Sequence, residues 1–97
     1  MKAWLLEGVS VDTNGTGVDH QGGPVTLSIW ATDFGSGTVT IQISPDGGTT
    51  WITATENGIA VAFTANAVRI LEVAQGLQIR ATLSGSTGAS GVNARID

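Results

Sequence analysis

The feature that most constrains this chain is a two-residue apolar alternation that recurs three times. Val25, Leu27, Ile29 and Ala31 alternate with Thr26, Ser28, Trp30 and Thr32. Val39, Ile41 and Ile43 alternate with Thr38, Thr40 and Gln42, and Leu77, Ile79, Ala81 and Leu83 alternate with Gln78, Arg80 and Thr82. Successive side chains of a strand point to opposite faces, so each run makes one apolar and one polar face. On a helix the same residues would be scattered around the axis. These runs therefore predict half-buried β-strands.

Between them the chain is punctuated by turn signals: Gly22-Gly23-Pro24, Asp33-Phe34-Gly35-Ser36-Gly37, Pro45-Asp46-Gly47-Gly48, Glu56-Asn57-Gly58, Gly76 and the polar stretch 84–91. The runs 25–32 and 38–44 are expected to form a hairpin. Val18 to Gln21, Trp51 to Thr55, Ile59 to Phe63 and Val92 to Asp97 are further candidate strands. Ile59, Val61 and Phe63 should share one face. Ala67 to Ala74 has mixed spacing, but β-branched Val68, Ile70 and Val73 and the absence of a cap favour strand over helix. Ala3 to Val11 reads as an N-terminal arm or an edge strand. The sum is an all-β chain, a single β-sandwich of jelly-roll or Greek-key type. It has about eight short strands at intervals of roughly 8 to 12 residues.

Composition narrows the function classes. At 97 residues the chain is expected to form one domain, spanning 1–97, that buries about two-thirds of its unfolded surface. It has no cysteine, which removes disulfides and cysteine-ligated metals, and no tyrosine, which removes phenol chemistry. Eight acidic residues against four basic ones give a net charge of −4, the wrong sign for a nucleic-acid binder. Ala3-Trp4-Leu5-Leu6 ends at Glu7, too short for a signal core of roughly 7 residues or a membrane span of about 20. Charged residues make up 12% of the chain, about half the usual share. Such a surface points to burial against other copies or a larger partner.

Several residues carry candidate chemistry. Ser44-Pro45-Asp46-Gly47-Gly48-Thr49-Thr50-Trp51 fits S-x-D-x-G-x-T-W. Asp46 can accept backbone N–H groups across the turn, and Gly48 can take a left-handed conformation. Trp51 can bury its ring beneath the hairpin. The pattern resembles the Asp-box of sialidases and related propellers, where it is a structural fold-back. One copy, a short chain and no tyrosine argue against a sialidase. Asp12-Thr13-Asn14-Gly15-Thr16-Gly17 begins like a calcium loop, but Gly23 stands where a bidentate Glu is needed, so a glycine-rich turn is expected and no metal or cofactor. His20, the one histidine, reads as an exposed loop residue. Trp4, Trp30 and Trp51 are candidates for a sugar-binding aromatic platform. Trp4, Leu5, Leu6, Trp30, Arg69, Arg80 and Arg95 are candidate interface residues. The three arginines would grip an acidic partner if they converged. No acid, base and nucleophile can be assembled, so an enzyme is not expected.

The series Asn14-Gly15-Thr16-Gly17, Gly22-Gly23-Pro24, the Val/Thr strand, Asp33-Phe34-Gly35-Ser36-Gly37-Thr38-Val39-Thr40-Ile41-Gln42 and Ser44 to Trp51 resembles small all-β structural proteins of tailed bacteriophages. It covers somewhat more than a third of the chain. The resemblance implies a virion component without catalytic residues, made in the host bacterial cytoplasm. A capsid decoration (cement) protein at the capsid surface would bind the major capsid protein and copies of itself, as a homo-trimer or dimer. The arm 1–11 and the loop 84–91 would act as clamps. The other reading is a carbohydrate-binding or adaptor module of the neck, tail or fibre. Neither reading involves nucleic acid or membrane.

Overall fold

The computed structural model describes residues 3–19, 22–73 and 76–97. His20, Gln21, Ala74 and the first two residues of the expected arm lie outside the described residues. The strands are β1 (Ala3–Val9), β2 (Thr13–Asn14), β3 (Val18–Asp19), β4 (Gly23–Trp30), β5 (Thr38–Ser44), β6 (Ile52–Thr53), β7 (Thr55–Glu56), β8 (Ile59–Ala60), β9 (Ala62–Phe63), β10 (Ala67–Val73), β11 (Gln78–Ser84) and β12 (Val92–Ile96). No helix occurs among the described residues. The strands form two main antiparallel sheets. The first has the order β1-β12-β4-β10. The second runs β2-β11-β5-β6, with β3 also on β11 and β9 also on β5; β7 and β8 pair alone.

The pairing lays the first half of the chain on the second. β1 lies on β12, β2 and β3 on β11, β4 on β10, and β5 on β6 and β9. The alternation read from the sequence assigns the inner faces. Leu27 and Ile29 of β4, Val39 and Ile41 of β5, Ile79, Ala81 and Leu83 of β11, and Val92, Ala94 and Ile96 of β12 join one hydrophobic cluster. Both sheets contribute to that cluster, so each shields the other's apolar face from water.

The expected hairpin of 25–32 with 38–44 does not form. β4 pairs with β10 and β12, whereas β5 belongs to the other sheet. Residues 31–37 cross between the sheets and are held to do so. The Gly35 N–H donates to Asp33 Oδ1 at 2.7 Å. Thr32 and Asp33 N–H donate to the Ser90 carbonyl, and Ser90 N–H returns to Asp33. Alternation sets which side faces the core, but it does not choose the neighbouring strand.

Four further expectations are corrected. Ala3–Val9 takes the edge-strand alternative as β1, but Leu5 and Leu6, expected at an interface, are core residues, 2% and 3% exposed. A register shift between Trp4 and Leu6 turns both leucines inward, as a bulge does. The loop 84–91 is not a free clamp. Gly85 and Ser86 N–H donate to the Asp12 carboxylate at 3.1 and 2.9 Å, and Ala89 is buried. Ile59 does not share a buried face with Val61 and Phe63. Ile41 exchanges backbone bonds with Ala54 and Val61, which closes the sheet there. The β7–β8 hairpin then projects past the edge, leaving Ile59 exposed. Finally, twelve strand segments appear among the described residues where about eight were expected, because β2/β3 and β6/β9 are interrupted lengths on the same neighbours and β7 and β8 form a separate pair.

At Gly15 and Thr16 the chain bonds to both sheets. The Gly15 N–H donates to the Ala81 carbonyl, and Thr16 N–H donates to the Leu5 carbonyl. A Cβ at residue 15 would lie 2.1 Å from the Leu5 oxygen and 2.5 Å from the Ala81 oxygen, both backbone. Backbone cannot rotate aside as a side chain can. Gly15→Ala should therefore cost about 3 kcal/mol, at the upper end for overpacking. Gly47→Ala, open to solvent but at φ +77°, should cost about 1 kcal/mol. Urea unfolding midpoints of the two variants measure the difference.

Candidate functional site

The motif 44–51 forms a tight fold-back at the end of β5. The buried Ser44 hydroxyl donates to Asp46 Oδ1 at 2.9 Å and accepts the Gly48 N–H at 2.8 Å. Thr50 N–H donates to the same Asp46 oxygen at 2.7 Å. Gly48 adopts φ +99°, in the left-handed region that glycine enters without penalty. The Thr50 hydroxyl and its backbone N–H, with smaller help from the Ser44 hydroxyl and the Thr49 N–H, hold the Asp46 carboxyl down at about 2 against an opposing loss of hydration. Trp51 donates its indole N–H to the Gly48 carbonyl at 3.1 Å. Its half-buried ring packs so closely on Gly17 that a Cβ there would come within 3.0 Å. The ring therefore lies across the outer face of the second sheet rather than in the core.

The three arginines do not converge. Each lies over its own aromatic ring instead. Arg95 on β12 places its guanidinium over both Trp4 and Trp30 on the outer face of the first sheet, 5.4 and 5.9 Å from their centroids. Arg80 on β11 lies 4.3 Å above Trp51 on the outer face of the second sheet. Arg69 starts on the inward side of β10, opposite Leu27, covers Phe63 at 5.0 Å and reaches Glu56 at 3.7 Å. An inward-pointing charge of this kind guards the open edge of a sheet.

The expected aromatic platform is thus divided. Trp4 and Trp30 come together, with centroids 5.6 Å apart and planes tilted by 55°, while Trp51 is on the other face. Across the first sheet the register aligns Trp4, Arg95, Ser28 and Val68 in one row. Arg95 is paired with Asp97 at 3.3 Å, and its buried Nε has no partner among the described residues. Val68 and Ile70, on the outer side of β10, are 73% and 67% exposed. The first sheet therefore presents a surface of two tryptophans and two aliphatic side chains.

Val68 and Ile70 were not singled out from sequence. The available signal is that both parities of 67–73 are apolar, which marks a strand with two apolar faces. Asp12, read as the start of a calcium loop, is instead the anchor of residues 85 and 86. The Ser86 hydroxyl and N–H lower its pKa, with Gly85 N–H adding to the effect. Among the described residues no cluster of three or more His, Cys, Asp or Glu side chains is placed to hold a metal. Nor is any helix among them long and apolar enough to cross a membrane.

Known proteins add no further constraint. No protein-family model, curated protein or solved structure matches the chain.

The fold-back carries a pH signature. Asp46 titrates at about 2 in the fold against 3.8 in the unfolded chain. Its ionised form therefore stabilises the fold fully above pH 3.8, and that contribution is lost as the pH falls through about 2. Asp46→Asn should lower Tm near neutral pH. Its deficit relative to the wild type should shrink between about pH 4 and pH 2 and vanish below that, as followed by circular dichroism melts.

Proposed function

We propose that this chain is a structural protein of a phage virion. On this reading it is a capsid decoration protein that binds the major capsid protein and copies of itself at the shell surface. The observation that carries the proposal is the surface formed by exposed Trp4, Val68 and Ile70 with half-buried Trp30 on the outer face of the first sheet. Interfaces concentrate tryptophan and arginine at their centres. Here Arg95 lies over both rings, its charge already met by Asp97. Burying this surface removes apolar area from water without leaving an unpaired charge.

The strand order supports the same reading. Counting β2 and β3 as one position and β6 and β9 as another, the first position lies on the last and each later one steps inward, which supports reading the two sheets as a jelly roll. That fold serves viral capsid and lectin domains, so this support is by analogy. A second reading, a carbohydrate-binding or adaptor module of the neck, tail or fibre, draws on Trp51, Arg80 and Gln42 on the opposite outer face.

The purified chain should co-sediment with capsids of the phage that encodes it. Val68→Asp with Ile70→Asp should weaken that binding at least 30-fold, about 2 kcal/mol for loss of a hot spot. Both side chains are exposed, so the far-UV circular dichroism spectrum should be unchanged. Failure of the wild-type chain to sediment with the capsids overturns the decoration role.

A further inference from the structure

Arg80 stands on the outer face of the second sheet, opposite Gln42 of β5. Its guanidinium is held in two independent ways. The Nε–H donates to Gln42 Oε1 at 2.8 Å, and the plane lies 4.3 Å from the Trp51 centroid. Trp51 is itself fixed by its hydrogen bond to Gly48 and by close packing on Gly17. An arginine anchored through Nε presents its two terminal nitrogens as a preorganised fork.

That fork has no protein partner among the described residues. The other two arginines each have an acid, Arg69 with Glu56 and Arg95 with Asp97. In a chain with eight acidic residues and four basic ones, the most firmly oriented guanidinium is the one without a carboxylate. The nearby Asp19 is engaged by the Gln78 side-chain amide at 3.0 Å. A parallel pair of N–H groups matches the two oxygens of a carboxylate.

The surroundings indicate what bears that carboxylate. The register places Thr53, Gln42 and Arg80 in one row, Thr40, Thr82 and Asn14 in the next, and Ser44, Gln78 and Asp19 on the other side. Ser44 and Thr82 are buried; apart from the Trp51 ring, the remaining positions carry hydroxyls, amides and a carboxylate, and the apolar cavity lined by Ile43, Pro45, Ile52 and Leu77 reaches Thr53 but neither Gln42 nor Arg80. A protein partner would call for apolar anchors around the arginine. A polyhydroxylated ligand is matched by hydroxyl and amide groups and by the aromatic edge.

We propose that the outer face of the second sheet binds an acidic saccharide. Arg80 pairs with a uronate-type carboxylate, and Gln42 and Trp51 position the guanidinium. The site uses the face opposite the tryptophan pair; it rests on the second, carbohydrate-binding reading above and does not depend on the capsid role.

The test is calorimetric titration of the intact chain with a galacturonic acid trisaccharide, a neutral trisaccharide, sodium acetate and a short Glu-rich peptide. The uronate should bind saturably and more weakly at higher salt. The other three should bind at least about 10-fold more weakly, because each lacks either the carboxylate or the hydroxyls. Arg80→Lys keeps the charge but loses the fork and should weaken uronate binding about 10-fold or more. Gln42→Ala should weaken it by a smaller factor. As a check independent of any variant, the Trp51 indole N–H resonance of the wild-type chain should shift on uronate addition. The Trp4 and Trp30 resonances, on the other face, should not. Absence of saturable uronate binding overturns the proposal, as does equal affinity for the neutral sugar, acetate or peptide. A shift at Trp4 and Trp30 in place of Trp51 overturns it as well.

Discussion

The structure depends on one shared apolar layer between two antiparallel sheets. Leu27 and Ile29 from one side and Val39, Ile41, Ile79 and Leu83 from the other have no alternative shelter. A chain without disulfides must obtain its stability from that layer. Each sheet takes strands from both halves of the chain, so the backbone must cross the layer repeatedly. The crossings are where side chains are least tolerated. At Gly15 two backbone carbonyls occupy the space a Cβ would need, and Gly35 is similarly crowded by the backbone at Thr87 and Ala89. Asp12 and Asp33 complete the arrangement by capping these crossings with hydrogen bonds to loop N–H groups. The order of dependence therefore runs from the core to the crossings and from the crossings to the loops.

Because the inner faces satisfy one another, the outer faces are free to differ, and they do. The first carries Trp4, Trp30, Val68 and Ile70; the second carries threonines, glutamines and Arg80 around a single ring. What the faces share is a way of handling charge. All three arginines rest on aromatic rings, and only two of them also have an acid. Exposed cation–π contacts contribute about 0.5–1 kcal/mol each, comparable to a surface ion pair at about 0–1 kcal/mol. For a chain with few charges, the stacked arginine keeps its outward nitrogens available, which an ion pair does not.

Much of the strand content was legible because alternation is a local property. The inner faces of β4, β5 and β11 follow directly from Val25 to Leu83. Strand partnership is not local, and the expected hairpin between β4 and β5 failed for that reason: nothing within 25–44 encodes the pull of Ser90 on Asp33. Leu5 and Leu6 were misread because a bulge defeats the two-residue period. Ile59 was misread because the period holds only where a sheet continues beneath it. Among site residues, the fold-back from Ser44 to Trp51 was legible in full, since its bonds span at most four residues. The meeting of Trp4 with Trp30 was not, because it spans an intervening strand, β12.

The fold-back also shows how a local motif acquires a distant consequence. Asp46, through Thr50, sets the path of the chain into Trp51. The Gly48 carbonyl fixes the indole N–H, and Gly17 admits the ring because it has no side chain. The ring in turn sets the plane of Arg80, while Gln42 sets its rotation through Nε. A turn motif that is structural in itself thus determines where the one arginine without an acidic partner points its fork. The same sequence of contacts explains why the motif belongs on β5 and not at another turn. At the end of β5 the tryptophan that closes the motif lies within reach of the Arg80 guanidinium carried by β11, the neighbouring strand.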